Sequence, residues 1–381
     1  MSLKKLLIII FRILVGVLFI VSGLVKANDP LGLSYKMDEF FQVLHLHFMV
    51  PVSLELAVVM IAFEIIAGFA LLLGFKMRFF GPLLLALMVV FTFITGFAYL
   101  SGKITECGCF GDCLPISAGA SFWKDVILLI LVFFLYRHRR SIRPFMAPLP
   151  SWVGMLAIIA GAFGLQRYVL NHLPIVDCLP YKVGNNIPEL MTIPPGAIPD
   201  KYETIFIYEK DGEEKEFPAD QIPWQDTTWH YVDRRDKLVQ KGNAQPKIKD
   251  FVIADFQGND STDFILDQQG YVFLFMVKQT TEAGEGWAAK IQHLQTDCAR
   301  FGIRLYGVTA SAESQVAGFR QQNGLHFPFL QMDGTAIKTA ARSNPCLILL
   351  KQGVIKGKWH FHDMPQGAVP SPENGQLILK Y

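Results

Sequence analysis

Five apolar stretches fill most of the first 170 residues, at 6–25, 52–74, 79–100, 119–136 and 152–170. At about 1.5 Å of helical rise per residue, each approaches or exceeds what crosses roughly 30 Å of hydrocarbon. In lipid a backbone must satisfy its own polar groups, and a helix does so within one segment. The stretches are therefore read as five spanning helices. The third has no charged residue, whereas the fourth holds Lys124 and Asp125 near its start. A cleaved signal peptide competes for the first stretch, because Lys4 and Lys5 precede it and Val25-Lys26-Ala27 loosely suits a cleavage site. Its apolar run exceeds the roughly 7–15 residues of such a segment, which favours a retained span.

Charge divides the chain into two unlike parts. Residues 1–170 hold 22 of the 68 Asp, Glu, Lys and Arg residues. The net charge of +2 gives no global basic field for nucleic acid. Lys4 and Lys5, then Lys76 and Arg78, then Arg137, Arg139, Arg140 and Arg143 occupy alternate loops. Basic loops stay cytoplasmic. The expected topology is a multi-pass protein of the cytoplasmic (inner) membrane with its N-terminus inside and everything after the fifth span periplasmic or otherwise extracytoplasmic. Cys107, Cys109, Cys113 and Cys178 then all fall on the oxidising side.

Three domains are expected: a transmembrane helical bundle over 1–173, an extracytoplasmic linker with a small β extension over 174–247, and an α/β domain over 248–381. Pro194-Pro195-Gly196 and Pro199 punctuate the linker. Strand-like runs at 204–209 and 214–217 flank Asp211-Gly212, a hairpin signal. Further on, 251–256 and 263–266 are read as a hairpin around Gly258-Asn259, and the unbroken apolar run 271–277 suits a strand buried on both faces. Trp287, Ile291, Leu294 and Cys298 repeat at helical spacing. Strand 303–309, helix 314–322, strand 327–332, a short helix to Arg342 and strand 346–351 complete an alternation that predicts parallel pairing.

That order, with Asn344-Pro345 directly before a late strand, resembles a thioredoxin-like domain of the extracytoplasmic type over about 248–362. The resemblance implies a cis proline facing a redox site and a Cys-x-x-Cys after the first central strand. Residues 278–287 begin Lys278-Gln279-Thr280-Thr281 and contain no cysteine. Thiol exchange needs a thiolate, so this domain is expected to be redox-inactive and to dock an extracytoplasmic client. In the bundle, Arg12, Gly16, Phe19, Ser22-Gly23 and Lys26 are followed by Glu64, Gly68 and Leu71-Leu72-Leu73-Gly74, then by Trp123-Lys124-Asp125. These motifs resemble the DoxX and MauE group of four-helix membrane proteins over roughly residues 6–137. Cys107-Gly108-Cys109-Phe110-Gly111 is similar to the Cys-Gly-Cys-Phe-Gly of the MauE branch. The resemblance implies a link to extracytoplasmic thiol or quinone chemistry, and MauE proteins are associated with maturation of a disulfide-rich dehydrogenase. A fifth span and a fused thioredoxin-like domain depart from the minimal pattern.

Four outer cysteines can pair in three ways. In the catalytic reading, one pair among Cys107, Cys109, Cys113 and Cys178 accepts electrons from a client thiol and another cysteine resolves the mixed disulfide. In the structural reading, two bridges tie the loop to the segment after the fifth span. Metal binding is disfavoured, because no outer-loop histidine adjoins these cysteines. Cys298 and Cys346 are read as buried core thiols. Within the spans, Arg12 and Glu64 differ in depth by about 6 Å at the helical rise. They form the candidate cofactor-binding pair, either as an interhelical clamp, with Arg12 snorkelling inward, or with Glu64 as proton acceptor for a quinone headgroup. Lys26, Glu55, Lys124 and Asp125 are expected at similar depth near the outer surface, either as a polar cap under the cysteine loop or simply as markers of the interface. His360 and His362 share one face of a late strand by its period of two and are expected to be exposed.

The function expected from these residues is a membrane thiol/disulfide oxidoreductase or disulfide-maturation factor that passes electrons from an extracytoplasmic client through the cysteine loop toward a membrane quinone. Its rivals are a non-catalytic scaffold subunit of an envelope complex and, more weakly, a transporter.

Overall fold

The computed structural model describes residues 3–381 apart from 103–107, 109–110, 112, 115, 146, 200, 211, 225, 241, 243 and 373–374. Helices α1 (Leu3–Ala27), α2 (Pro30–Val43), α3 (Ser53–Leu73), α4 (Met77–Ser101), α5 (Ala118–Arg137) and α6 (Pro148–Asn171) build the N-terminal part. All but α2 are long and apolar enough to cross a membrane, and they cover the five expected stretches. Their apolar surplus faces outward: α1 exposes Ile10, Leu14, Val17, Val21 and Leu24 while burying Val15 and Phe19. That is the arrangement of a helix whose solvent on one side is lipid.

Small residues let α1 and α3 approach closely, as is common where helices pack in lipid. A side chain at Gly68 would place its Cβ 2.9 Å from the Gly16 carbonyl oxygen, and one at Gly16 would meet the Gly68 carbonyl oxygen at 3.2 Å. The segment between the first two spans holds α2, where a loop was expected. Asp29 caps it by accepting from the Gly32 N–H at 3.0 Å, and Pro30 occupies its first turn. Leu33 and Phe40 are buried against the bundle, while the charged Lys36 and Glu39 keep partial exposure.

After α6, a short helix α7 (Ile187–Met191) leads into β1 (Lys201–Lys210), β2 (Glu213–Pro218) and β3 (His230–Gln240), an antiparallel sheet of order β2-β1-β3. The expected hairpin is its first half, and the third strand is additional. Next come α8 (Thr262–Leu266), β4 (Tyr271–Val277), α9 (Ala288–Phe301), β5 (Arg304–Thr309), α10 (Glu313–Asn323), β6 (Phe329–Gln331), α11 (Gly334–Ala341), β7 (Cys346–Lys351) and β8 (Val354–His360). The hairpin expected at 251–256 and 263–266 does not form. Ala254 and Asp260 make one isolated bridge, Asp260 accepts from the Thr262 N–H at 2.8 Å, and Ile265 and Leu266 are buried from a helix. Adjacent apolar residues there supply no alternating strand face.

The C-terminal domain is thioredoxin-like. Its sheet runs β6-β5-β4-β7-β8, with β4, β5 and β6 parallel and β7 and β8 antiparallel. Alternate residues of β4 enter two cores, Leu274 and Met276 on one face, Phe273 and Phe275 on the other. The Asn344-Pro345 bond before β7 is cis. Strands β9 (Gly367–Pro370) and β10 (Leu377–Lys380) close the chain as a separate antiparallel pair.

Candidate functional site

Cys113 and Cys178 form a disulfide with a Cα–Cα distance of 4.9 Å, within the usual range for a bridge. It joins the segment between α4 and α5 to the segment after α6. Asn28, just beyond α1, holds the second segment in place: its side chain donates to the Val176 carbonyl at 2.8 Å and accepts from the Val176 N–H at 3.0 Å. Cys107 and Cys109 lie outside the described residues. Gly108 between them is described, with a φ of +65° that suits glycine.

The charged residues of the spans pair differently from the sequence expectation. Arg12 and Glu64 do not meet. The Arg12 guanidinium donates to the carbonyls of Leu71 and Leu72 at the end of α3, leaving that helix terminus satisfied by a cation. Glu64 instead accepts from Lys26 Nζ at 2.6 Å and from Ser22 Oγ at 3.1 Å, with Lys26 4% and Glu64 1% exposed. Both residues sit beside the α1–α3 contact, where Gly23 lets α1 come close to Ile65 and Glu64. Lys124 pairs with Asp125 at 2.9 Å. Glu55 takes no part in this group and is exposed.

Lys26, Glu64, Lys124 and Asp125 line one cavity of about 120 Å³ with Ser22 and apolar side chains such as Phe91. Gly108 lines it too, bringing the centre of the Cys-Gly-Cys motif to the cavity wall. Asp125 Oδ2 is buried without a hydrogen-bond partner. A buried acceptor without a donor costs free energy, and its place in the lining suits a ligand that brings one. Lys26, Lys124 and Asp125 share this lining with Gly108 of the cysteine motif, as the expected polar cap would, but Glu64 takes the place expected for Glu55.

A second space lies between α2 and the thioredoxin-like domain, a cleft of about 800 Å³ lined by Cys113, Cys178, Lys36, Lys182, Lys247 and Lys338 among others. Lys36 lines both spaces, and a side chain at Gly108 would meet its Cγ at 3.1 Å. Gly108 thus stands at the partition between cavity and cleft.

The thioredoxin-like domain carries no thiol at its own site. Asn344 donates to the Gln279 carbonyl at 3.0 Å, and its carbonyl accepts from the Gly284 N–H at 2.8 Å, so the proline loop is bonded to the segment that would hold the cysteines. Cys298 and Cys346 lie in opposite cores, and burial pushes each thiol up to about 12. They are inert at neutral pH. His360 corrects the expectation of exposed strand histidines: it is 3% exposed, because β8 pairs His360 with Cys346 and its ring packs against Phe361 and His362. Among the described residues no group of three metal-ligating side chains converges.

Residues 4–137 match the family described as Methylamine utilisation protein MauE, so the bundle through α5 is MauE-like. Residues 202–241, the β1–β3 extension, match a Domain of unknown function (DUF8463). Protein TlpB of Flavobacterium psychrophilum is 27% identical over 128 residues, which are 33% of this chain and 35% of that protein. The chain therefore spans about a third of that relative's length. Among solved structures, a Bacteroides thetaiotaomicron protein described as a candidate protein disulfide isomerase matches 30% of this chain and 77% of its own, at 17% identity and a TM-score of 0.25. A Xanthomonas campestris bacterioferritin comigratory protein, described for alkyl peroxide reduction, matches 29% and 79%, at 12% identity and a TM-score of 0.23.

Proposed function

We propose that this protein is a membrane-embedded thiol/disulfide oxidoreductase that draws electrons from an extracytoplasmic client through its outer cysteines to a quinone held in the bundle. The observation that carries the reading is Gly108: the residue between Cys107 and Cys109 lines the same cavity as the buried Lys26–Glu64 pair. The Cys113–Cys178 bond supports a division of labour in which that bridge meets the client, and Cys107 and Cys109, the sequence neighbours of Gly108, pass the electrons on. The basic loops at the opposite end of the bundle support a topology with that end cytoplasmic and the cysteines and the thioredoxin-like domain outside.

The cavity residues fit a quinone headgroup. Lys26 offers a cation to a carbonyl oxygen, and the partnerless Asp125 Oδ2 accepts from a hydroxyl. A quinone bound there would take up two electrons and two protons. Glu64, hydrogen-bonded to Lys26 and Ser22, can hold and pass a proton at its carboxylate, and the surrounding Phe and Met side chains exclude water. Arg12 has no part in this site. It closes the far end of α3.

The test is oxidation of a dithiol peptide by the purified protein in liposomes containing quinone. Cys107→Ser and Cys109→Ser are each expected to abolish turnover, and Glu64→Gln to lower it by about 100-fold. Wild-type rates in both cysteine variants would overturn the reading. The thiol-free segment 278–287 favours a second reading, a scaffold. It predicts that any copurifying partner stays bound when all four outer cysteines are replaced.

A further inference from the structure

We infer that the cleft between α2 and the thioredoxin-like domain is the client site, and that it takes an acidic, cysteine-bearing polypeptide segment whose thiolate attacks the Cys113–Cys178 disulfide at Cys178. This rests on the thiol/disulfide reading above and gives it a substrate class and an entry point.

Three observations converge. Both sulfurs' residues line the cleft, and both are partly exposed, so the bond is presented to whatever occupies the space. The volume of about 800 Å³ lies within the roughly 300–1,000 Å³ of ligand sites. The charges around it do not balance. Arg342 is answered by Asp29 at 2.9 Å and Lys36 by Glu39 at 3.6 Å. Among the described residues no carboxylate stands within ion-pair distance of Lys182, Lys247 or Lys338, and Lys338 lies over the Tyr35 ring at 4.9 Å. Tyr35 adds no counter-charge, since burial pushes its phenol up to about 12. With Glu39 taken by Lys36, Asp38 is the remaining carboxylate of the described lining, and Glu282 acts on Lys338 from outside it, so the cations stay in surplus and favour an anionic segment. The same field favours the attacking thiolate over the thiol.

The exchange is balanced within the two partners. The client thiolate forms a bond to Cys178 Sγ, the Cys113–Cys178 bond breaks, and its electron pair leaves on Cys113 Sγ, which takes the proton the client thiol gave up. A second client thiol then displaces Cys178 in the same way, so the client is oxidised to a disulfide and both cysteines are reduced. Attack at Cys178 releases Cys113, four positions from Cys109, on the segment that borders the cavity. Attack at Cys113 would strand the released thiolate after α6.

The experiment uses the full-length protein with Cys107→Ala and Cys109→Ala, its remaining outer disulfide intact, in detergent without quinone. It is incubated with two reduced single-cysteine peptides of equal length, one Asp/Glu-rich and one Lys-rich, quenched with a thiol-alkylating reagent and mapped by mass spectrometry. The expected result is an adduct at Cys178 with alkylated Cys113, formed at least about tenfold faster by the acidic peptide, with the preference lost in Lys182→Ser/Lys247→Ser/Lys338→Ser. Equal rates, an adduct at Cys113, no adduct, or a preference that survives the triple substitution would each overturn the proposal. A Cys113→Ala form that leaves Cys178 as a free thiol, probed with the same peptides as activated disulfides, gives the charge preference without requiring the bridge. Neither readout involves the cavity, so the client site and the quinone reading fail separately.

Discussion

His360 sits where β8 ends against the last turn of α6, facing His362, Asp363 and His172, and burial holds its imidazole down at about 4. An unfolded histidine titrates near 6.5. The folded state thus binds its proton less readily than the unfolded chain, so the stability that neutral His360 confers is complete above about pH 6.5. It is lost as pH falls through 6.5 toward 4. Thermal unfolding followed over that window should show a loss on the order of 2 kcal/mol, screening by partial water access included, and His360→Gln should flatten the slope. A slope unchanged in the variant would place the titration elsewhere. The neighbouring contacts are polar ties across the same junction: His172 Nδ1 meets Asp363 at 2.8 Å and His362 Nδ1 meets the Asn171 carbonyl at 2.8 Å. Period-two alternation put His360 and His362 on one face; burial was invisible to it, because the covering helix end is 188 residues away in the chain at His172.

At the scale of elements, the α1–α3 crossing positions the Lys26–Glu64 pair, and it depends on the absence of side chains at Gly16 and Gly68. Gly68→Ile should wedge the helices apart, since its Cβ would meet backbone atoms of Gly16 and Ile20 at 2.9 and 3.1 Å. A cost of about 1–3 kcal/mol is expected from such overpacking, read as a lowered unfolding midpoint in detergent, together with weaker quinone-linked turnover. Gly154→Ala, at a helix position with nothing within 4 Å, is the control and should move the midpoint little. A Gly68→Ile midpoint equal to the control's would show that this crossing does not hold the bundle together. The spans themselves were legible because twenty apolar residues have few other uses, and β4 was legible because only a doubly covered strand is apolar throughout. Helix α2 was not, since its pattern mixes Leu33 and Phe40 with Lys36, Asp38 and Glu39, and its meaning depends on having a bundle end to lie on.

At the scale of the whole molecule, the thioredoxin-like domain is clamped to the bundle. Arg342, 4% exposed, holds Asp29 at 2.9 Å, and Lys358, 2% exposed, holds Asp177 at 2.9 Å beside the disulfide. Removing one member of a buried pair leaves the other charge uncompensated, at a cost of roughly 3–5 kcal/mol when no second partner exists. Asp29 retains the Gly32 N–H, so Arg342→Ala should cost less, about 2 kcal/mol. Hydrogen exchange along α2 and α11 should then quicken by at least about tenfold, whereas unchanged exchange would mean that the Lys358–Asp177 pair and the histidine ties hold the domain without Arg342. Sequence alone determined the five apolar spans and the thiol-less thioredoxin-like domain, because hydropathy and strand order are local or periodic properties of the chain. It could not join Cys113 to Cys178 or find the partner of Glu64. Those were decided by the tertiary structure, because a buried charge pairs with whatever the helix packing brings within about 3 Å, and Lys26, 38 residues away, arrives there only when Gly16 and Gly68 let two helices touch.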